Sequence, residues 1–318
     1  MMNFLLKIIR WFLSPLEIDG RRLDPDLQAV LFLSNRRAPL DSYAPPEARR
    51  QALRGQKLMP PPFVPTHHVE DLHAAGLSMR RYQPASEAST TGLLYFHGGG
   101  FVIGGLDSHD HLCRTLAHEG DCVVIAVDYR LAPEHPFPAA VEDALAAWRW
   151  FREQPFTRHL VGGDSAGGNL AAVVCQHAET KPGGQLLIYP ATDRVTVRPS
   201  RETFAEGFLY TQAMSTWFMD HYLPAGIDRS AERVSPLLRE DLRGQPPAHV
   251  LLAGFDILRD EGEAYVEKLQ GANVQVTVQR EDSLIHGFSA LAGACPGALL
   301  ALQNAGRALR SLGTAPNP

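Results

Sequence analysis

Short apolar runs alternate with longer helical stretches from about Leu93 onward, and this alternation constrains the fold more than any other feature of the sequence. The runs cover residues 93–96, 122–127, 159–163, 185–189, 249–254 and 274–278, and the helical stretches cover 109–120, 139–154, 166–179 and 261–272. Strands that alternate with helices in this way form a mostly parallel sheet with helices on both faces, an α/β fold. Weaker strand candidates at 67–69 and 77–82 predict an antiparallel start to that sheet.

One interval between strands breaks the alternation. From Asp193 to Pro247 the sequence is rich in arginine, proline and aromatic residues, and it predicts a helix over 207–223. An insertion of this kind commonly covers the end of the sheet where ligands bind. We therefore expect a single domain over 1–318, with a cap formed by about 1–50 and about 193–247.

Composition excludes several classes of function. The 318 residues, 45% hydrophobic and 20% charged, are ordinary for a globular domain. The net charge of -5, with no basic run interleaved with aromatic residues, argues against a nucleic-acid partner. The four cysteines have no CxxC spacing, so neither a zinc site nor a dithiol redox site is indicated. We expect them to be small buried hydrophobes in a reducing, cytoplasmic compartment.

The N-terminal segment predicts an amphipathic helix. Apolar side chains recur there at helical spacing: Phe4, Leu5, Ile8, Ile9, Phe12 and Leu13. Lys7 and Arg10 interrupt the apolar run, which argues against an export signal, and the segment is too short to span a bilayer. We favour packing of this helix on the protein itself; docking on a membrane surface is the alternative.

A serine flanked by glycines follows the strand at 159–163. The residues Gly163-Asp164-Ser165-Ala166-Gly167 match G-x-S-x-G, in which the serine stands on a sharp turn from strand to helix and its neighbours must lack bulk. An ordinary glycine-rich turn is the alternative. The preceding apolar strand and the following alanine-rich helix favour Ser165 as a nucleophile.

Three consecutive glycines follow the strand at 93–96, within the stretch YFHGGGFVIGG. Such a loop can turn backbone N–H groups towards a substrate carbonyl and stabilise an oxyanion. We expect Gly99 and Gly100 to donate with Ala166, whereas Gly98 is a further candidate that serves at least the turn. A phosphate-binding loop is the alternative, but neither GxGxxG nor GxxxxGKS/T fits. We interpret His97 as structural.

A serine nucleophile needs a base, and the chain order in folds of this class is serine, acid, histidine. His286 follows the last strand candidate, where that order requires the base. His109 and His111 precede the serine, and their spacing does not put them on one helical face for a metal. His67 and His68 are also early and are expected to be solvated.

The acid is predicted from the strand at 249–254. Asp256 comes directly after this strand and therefore lies at the same end of the sheet as Ser165. Asp260 and Glu261 are rivals, but they fall in the first turn of a helix, where the helix dipole favours carboxylates without any catalytic role. Asp282 is a third rival, whose closeness in sequence to the candidate base disfavours the pairing.

These segments together resemble the hormone-sensitive-lipase-like family of α/β-hydrolases, the bacterial esterases with a GDSAGGN motif. The matching stretches, in the order of the family, are HGGGFVIGGLDSHD, VDYRLAPEHPFPAAVEDA, GGDSAGGNLAAV, LLIYPATD, FDILRDEGEAYVEKLQGANV and IHGF. The resemblance implies an α/β-hydrolase fold with a cap, a triad of Ser165, Asp256 and His286, and no cofactor or metal. It also implies hydrolysis of small-molecule esters with short to medium acyl chains, and a homodimer through the last strand as the candidate assembly.

The chain departs from the family at one position near the site. Ile257 stands where the family usually has proline, but proline would only stiffen that turn, so we expect Asp256 to keep its role. Arg130 and Glu134 are expected to form ion pairs or cap helices, and Asp164 and Asn169 to hold the serine turn. The predicted substrate pocket consists of Phe101, Leu209, Tyr210, Ile285 and Phe288.

Two other functions remain open from the sequence. The same triad can hydrolyse amides or peptides, although no repeat that would gate peptides is present. A non-catalytic ligand-binding protein on the same scaffold is the other alternative, but such proteins lack a member of the triad.

Overall fold

The computed structural model describes residues 2–86 and 89–314, and an eight-stranded sheet forms its centre. The strands are β1 (Glu17–Ile18), β2 (Arg21–Arg22), β3 (His68–Ala74), β4 (Leu77–Gln83), β5 (Thr91–Phe96), β6 (Val123–Asp128), β7 (Arg158–Asp164), β8 (Gly184–Ile188), β9 (Ala248–Phe255) and β10 (Val276–Ile285). The order in the sheet is β10-β9-β8-β7-β5-β6-β4-β3, while β1 and β2 form a separate antiparallel pair. All neighbours from β10 to β6 are parallel, and β4 and β3 are antiparallel, which confirms the predicted fold class.

Ten helices surround this sheet within the described residues. They are α1 (Met2–Phe12), α2 (Pro25–Ser34), α3 (Pro45–Lys57), α4 (Asp110–Gly120), α5 (Ala139–Phe151), α6 (Ala166–His177), α7 (Pro199–Thr203), α8 (Gln212–Tyr222), α9 (Arg259–Gly271) and α10 (Pro296–Ala308). The central strands are apolar on both faces because helices cover both faces, and β5, β8 and β9 are buried along their whole length.

The last strand is longer than the sequence pattern predicts. The prediction was 274–278, whereas β10 runs from Val276 to Ile285, with an irregular register between Glu281 and Ile285. As an edge strand it is half exposed, so its polar residues do not form an apolar run. The homodimer expected through this strand stays a prediction.

The helix predicted over 207–223 begins later, at Gln212. Gly207 and Leu209 have positive φ angles of 87° and 49°, which a helix cannot contain. Thr211 caps the helix, because its side-chain oxygen accepts a hydrogen bond from the backbone N–H of Met214. The preceding residues are therefore a loop.

The N-terminal helix packs on the protein with only part of the predicted apolar set. Leu6, which was not in that set, is buried, and Ile9 and Leu13 pack against the core. The other four residues of the set, Phe4, Leu5, Ile8 and Phe12, are exposed together with Trp11. The apolar stripe expected from the sequence is thus divided into a buried part and an exposed part. Within the described residues, no helix is long and apolar enough to cross a membrane.

Two polar clusters, one buried and one partly exposed, anchor the segments on either side of the sheet end. Glu261 accepts hydrogen bonds from the backbone N–H groups of Thr192 and Asp193 and pairs with Arg201 at 3.0 Å, so it anchors the start of the segment 193–247. On the other side, Arg49 of α3 donates to the carbonyl oxygens of Val102 and Ala132 and pairs with Glu134.

The four cysteines are buried and free, as expected for small hydrophobes. Burial raises the pKa of the Cys122 thiol to about 12, so it stays protonated at neutral pH. Among residues 2–86 and 89–314, no group of three or more His, Cys, Asp or Glu side chains is arranged to hold a metal ion.

Candidate active site

Ser165 stands between the end of β7 and the start of α6 with φ 53° and ψ -114°, a strained backbone conformation for a residue other than glycine. Its N–H donates to the carbonyl of Ile188 at 2.9 Å, which ties the turn to the neighbouring strand. A Cβ on Gly163 would overlap the backbone of Gly167, and a Cβ on Gly167 would overlap the carbonyl of Phe96. The flanking glycines therefore permit a turn that exposes the serine hydroxyl at the end of the strand.

Replacement of Gly167 by alanine is expected to lower the free energy of unfolding by at least about 2 kcal/mol, because the atom it would strike is backbone and cannot rotate away. The matched control is Gly271→Ala, since a Cβ there meets nothing within 4 Å. The control should change stability by less than about 0.5 kcal/mol. Urea denaturation of both variants checks this; equal stabilities would contradict the close approach at Gly167.

Three side chains form a continuous hydrogen-bonded chain at this turn. Ser165 Oγ lies 2.9 Å from His286 Nε2, and His286 Nδ1 lies 2.7 Å from Asp256 Oδ2. The other carboxylate oxygen of Asp256 accepts from the backbone N–H of Leu258 at 2.7 Å. Since the carboxylate can only accept, Nδ1 carries the proton in the neutral imidazole, and Nε2 is left to accept the serine proton.

The topology explains why residues far apart in sequence meet here. Ser165 follows β7, Asp256 follows β9 and His286 follows β10, and these parallel strands end at one edge of the sheet. The imidazole contacts two aromatic rings, with centroids 4.7 Å from Tyr189 and 4.5 Å from Tyr210. All three side chains are largely enclosed by protein atoms.

The rival carboxylates have other partners. Asp260 accepts from the backbone N–H of Ser200, and Glu261 anchors the segment 193–247 as described above. Asp282 is exposed and pairs with Arg21 at 2.8 Å. Ile257, in place of the usual proline, is buried and leaves the Asp256 turn closed.

The glycine loop presents two free donors beside the serine turn. Gly99 and Gly100 have positive φ angles of 123° and 61°, and within the described residues neither N–H has an acceptor. The N–H of Ala166, in the first turn of α6, likewise lacks an intrahelical acceptor. Gly98 differs, because its N–H donates to Asp164 Oδ1 at 2.9 Å. The assignment of Gly98 as an oxyanion donor is therefore wrong, since its N–H is already occupied.

Asp164 links the serine turn to the glycine loop. Its Oδ1 also accepts from the hydroxyl of Tyr95 at 2.8 Å and lies 3.3 Å from His109 Nε2. Burial acts to raise the pKa of Asp164, but His109 and Tyr95 outweigh it and hold the pKa below its ordinary value. Sequence reasoning expected Asp164 to hold the turn but missed Tyr95 and His109, because nothing in their local pattern links them to it.

Side chains of the neighbouring motifs form contacts within the protein rather than with the substrate. Asn169 donates to the carbonyl oxygens of Ala191 and Val234, and Arg130 pairs with Asp143 at 2.7 Å. His97 is structural, as expected: its Nδ1 lies 2.8 Å from the carbonyl of Gly98 and its ring stacks on Tyr129.

Burial, with the charge of His109, lowers the pKa of His97 from its ordinary value of 6.5 to about 3. Between pH 6.5 and about pH 3 the imidazole of His97 binds a proton in the unfolded chain but not in the folded one. The free energy of unfolding is therefore greatest above pH 6.5 and decreases as the pH falls towards 3. We expect His97 to reduce the free energy of unfolding by about 2 kcal/mol between pH 7.5 and pH 5. Urea denaturation of the wild type and His97→Asn at both pH values checks this, because asparagine keeps a donor near Nδ1 but cannot be protonated. An equally steep pH dependence in the variant would contradict it.

A cavity of about 1220 Å³ opens onto Ser165 and His286. Of the predicted pocket residues, Leu209 and Tyr210 line it. The predictions for Phe101, Ile285 and Phe288 are wrong, because these side chains are packed in the core and do not line the cavity. Phe101 stacks on Tyr222 with centroids 3.8 Å apart, and Phe288 packs edge-on against Tyr189.

A sharp serine turn on a mostly parallel sheet, with an acid and a histidine from later strands at the same edge, defines the α/β-hydrolase class. A family model described as alpha/beta hydrolase fold matches residues 93–290. The carboxylic ester hydrolase LipN of Mycobacterium tuberculosis is 41% identical over 90% of this chain and 85% of its own. The ethyl acetate hydrolase of Pseudomonas putida is 37% identical over 84% of this chain and 92% of its own.

Solved structures agree with these sequence relatives. An ester hydrolase from the metagenome of Lake Arreo, in complex with a bipyridine phosphonate derivative, superposes with a TM-score of 0.87 at 41% identity, covering 91% of this chain and 98% of that one. An esterase of Pyrobaculum calidifontis gives a TM-score of 0.84 at 34% identity over 91% of this chain and 98% of its own. The chain belongs to the α/β-hydrolase family, in its hormone-sensitive-lipase-like branch of esterases.

Proposed function

We propose that this protein hydrolyses carboxylic esters with short to medium acyl chains through an acyl-enzyme formed on Ser165. The observation that carries the proposal is the chain of hydrogen bonds from Asp256 through His286 to Ser165, next to the free N–H groups of the glycine loop. The names of the relatives support the same chemistry, since they include a carboxylic ester hydrolase and an ethyl acetate hydrolase.

Acylation begins when Ser165 Oγ attacks the ester carbonyl and His286 Nε2 takes its proton. Asp256 accepts the Nδ1–H and stabilises the imidazolium that forms. The oxyanion receives hydrogen bonds from the N–H groups of Gly99, Gly100 and Ala166, which have no other acceptor among the described residues. His286 then donates its proton to the leaving alkoxide, and the alcohol departs.

Deacylation repeats these steps with water as the nucleophile. His286 takes a proton from the water that attacks the acyl-enzyme, and the same N–H groups stabilise the second oxyanion. The proton then returns to Ser165 Oγ as the carboxylic acid leaves. In both half-reactions Nε2 of a neutral His286 is the proton acceptor.

The segments 1–50 and 193–247 act as the cap in this proposal. Leu6, Val30 and Tyr43 of the first segment and Met214 and Phe218 of the second line the cavity, together with Leu209 and Tyr210. These side chains are mostly apolar and suit the hydrocarbon part of an ester rather than a charged group. Acyl-chain selection would therefore depend on the cap.

The two other functions make different predictions. An amide or peptide hydrolase would cleave an anilide at a rate comparable with that of the matched ester. A binding protein would retain ligand without turnover, but the geometry of all three triad members favours catalysis.

Hydrolysis of p-nitrophenyl esters from acetate to palmitate, beside the matched p-nitroanilides, tests the proposal. We expect kcat/KM to peak at short or medium acyl chains and the anilides to react far more slowly. Comparable anilide turnover would favour amide hydrolysis. A folded protein that hydrolyses neither series would overturn the proposal.

A further inference from the structure

The outer face of α1 is apolar and faces solvent. Phe4 is 70% exposed, Trp11 86% and Phe12 82%, and Leu5 and Ile8 are exposed beside them. At about 100° per residue these five side chains fall within an arc of about 120° on the helix. We call these five residues the α1 face. The opposite side of the helix packs against α2, where Arg10 pairs with Asp26 at 3.0 Å.

Three aromatic and two branched side chains in one exposed patch are costly in water unless something covers them in use. Packing of the helix does not require them, because Leu6, Ile9 and Leu13 already make the contacts with the protein. The sequence of α1, MNFLLKIIRWF, has no acidic residue. Lys7 is exposed at one border of the α1 face, so the charge beside the patch is positive although the chain carries -5 overall.

We propose that the α1 face docks on an anionic lipid surface. Phenylalanine and tryptophan on one side of a short helix, with a cation at the border, are the composition of helices that lie in the membrane interface. Lys7 would meet lipid phosphates while the aromatic side chains enter the region of the acyl chains.

A second copy of this chain is the competing occupant, and the size of the α1 face argues against it. The helix has 11 residues and is therefore about 16 Å long. A stable dimer buries about 800 Å² on each partner, which is more than one side of such a helix offers. A lipid surface needs no matching shape, so a small apolar patch is sufficient for it.

Docking would bring the cavity close to lipid, because Leu6, on the buried side of the same helix, lines it. Esters dissolved in a membrane would then be held near the cavity. This consequence rests on the proposed function, whereas docking itself does not.

The test is co-sedimentation of the full chain with vesicles of phosphatidylcholine alone and of phosphatidylcholine with phosphatidylglycerol. The variant Trp11→Ser/Phe12→Ser removes two aromatic side chains of the α1 face. The matched control, Val197→Ser/Leu300→Ser, removes exposed apolar side chains elsewhere, which are 70% and 52% exposed. We expect the wild type and the control to bind the anionic vesicles alike. The α1 variant should bind them at least about tenfold more weakly. Lys7→Glu should weaken binding to anionic vesicles only.

Two further readouts separate docking from catalysis and from misfolding. Hydrolysis of dissolved p-nitrophenyl acetate and the Tm should be unchanged in the α1 variant, so failure of the proposed function would appear there and not in sedimentation. Absence of wild-type binding, or equal loss in the control, would overturn the proposal. A dimer that Trp11→Ser/Phe12→Ser dissociates, without vesicle binding, would assign the α1 face to a second copy instead.

Discussion

Replacement of Ser165 by alanine is expected to lower kcat for p-nitrophenyl butyrate by about 10⁴ to 10⁶, with the Tm nearly unchanged. In the proposed mechanism the acyl bond forms on this hydroxyl. Alanine lacks only the hydroxyl, so it can take the same backbone conformation in the turn. The effect should fall on kcat rather than KM, because the lost interaction forms in the transition state.

Ser289 provides the control for this experiment, since it lines the same cavity and shares a 2.6 Å hydrogen bond with the hydroxyl of Tyr189. Ser289→Ala should keep kcat within about tenfold of the wild type. A fluorophosphonate probe followed by peptide mapping should label Ser165 in both the wild type and this control. Label on any other residue, or a Ser165→Ala variant that retains most of its turnover, would show that the nucleophile is elsewhere.

Replacement of Asp256 by asparagine is expected to lower kcat by about 10³ to 10⁴. The carboxylate accepts the proton of His286 Nδ1, whereas the amide can present its NH₂ group there and stabilise the tautomer with the proton on Nε2. That tautomer cannot take the serine proton. The variant should fold normally, because the amide oxygen can still accept from the N–H of Leu258.

The matched control is Asp282→Asn, a rival carboxylate that is exposed and pairs only with Arg21 among the described residues. We expect its kcat to stay within about twofold of the wild type, since a surface ion pair contributes little. Steady-state kinetics of the two variants at one pH are sufficient. If Asp282→Asn loses as much activity as Asp256→Asn, the acid has been assigned wrongly.

Much of the fold and of the candidate site was predictable because two rules relate the sequence pattern directly to the sheet. Apolar runs buried on both faces identify central strands, and the carboxyl ends of parallel strands meet at one edge of the sheet. Ser165 and Asp256 follow two such strands directly, so their proximity was predictable without knowing any contact. Their roles, with that of His286, stay predictions until the variants are measured.

Other features depend on packing that a local pattern does not contain. Phe101 belongs to the core because it stacks on Tyr222, more than a hundred residues away. The start of α8 depends on the backbone at Leu209, whose side chain alone gives no sign of a positive φ. The prediction of an N-terminal helix is confirmed, but periodicity cannot tell which part of its apolar surface meets the protein.

The shared oxygen of Asp164 has a consequence for how the enzyme can move. Ser165 is the next residue along the chain from Asp164, and Gly99 is the next from Gly98, whose N–H meets that carboxylate at 2.9 Å. This hydrogen bond therefore helps to set the spacing between the proposed nucleophile and the proposed oxyanion donors. We expect the proposed cap segments above the cavity to move for substrate entry and product release without changing this spacing. Substitutions in the proposed cap should therefore change substrate range while the chemistry below stays constant.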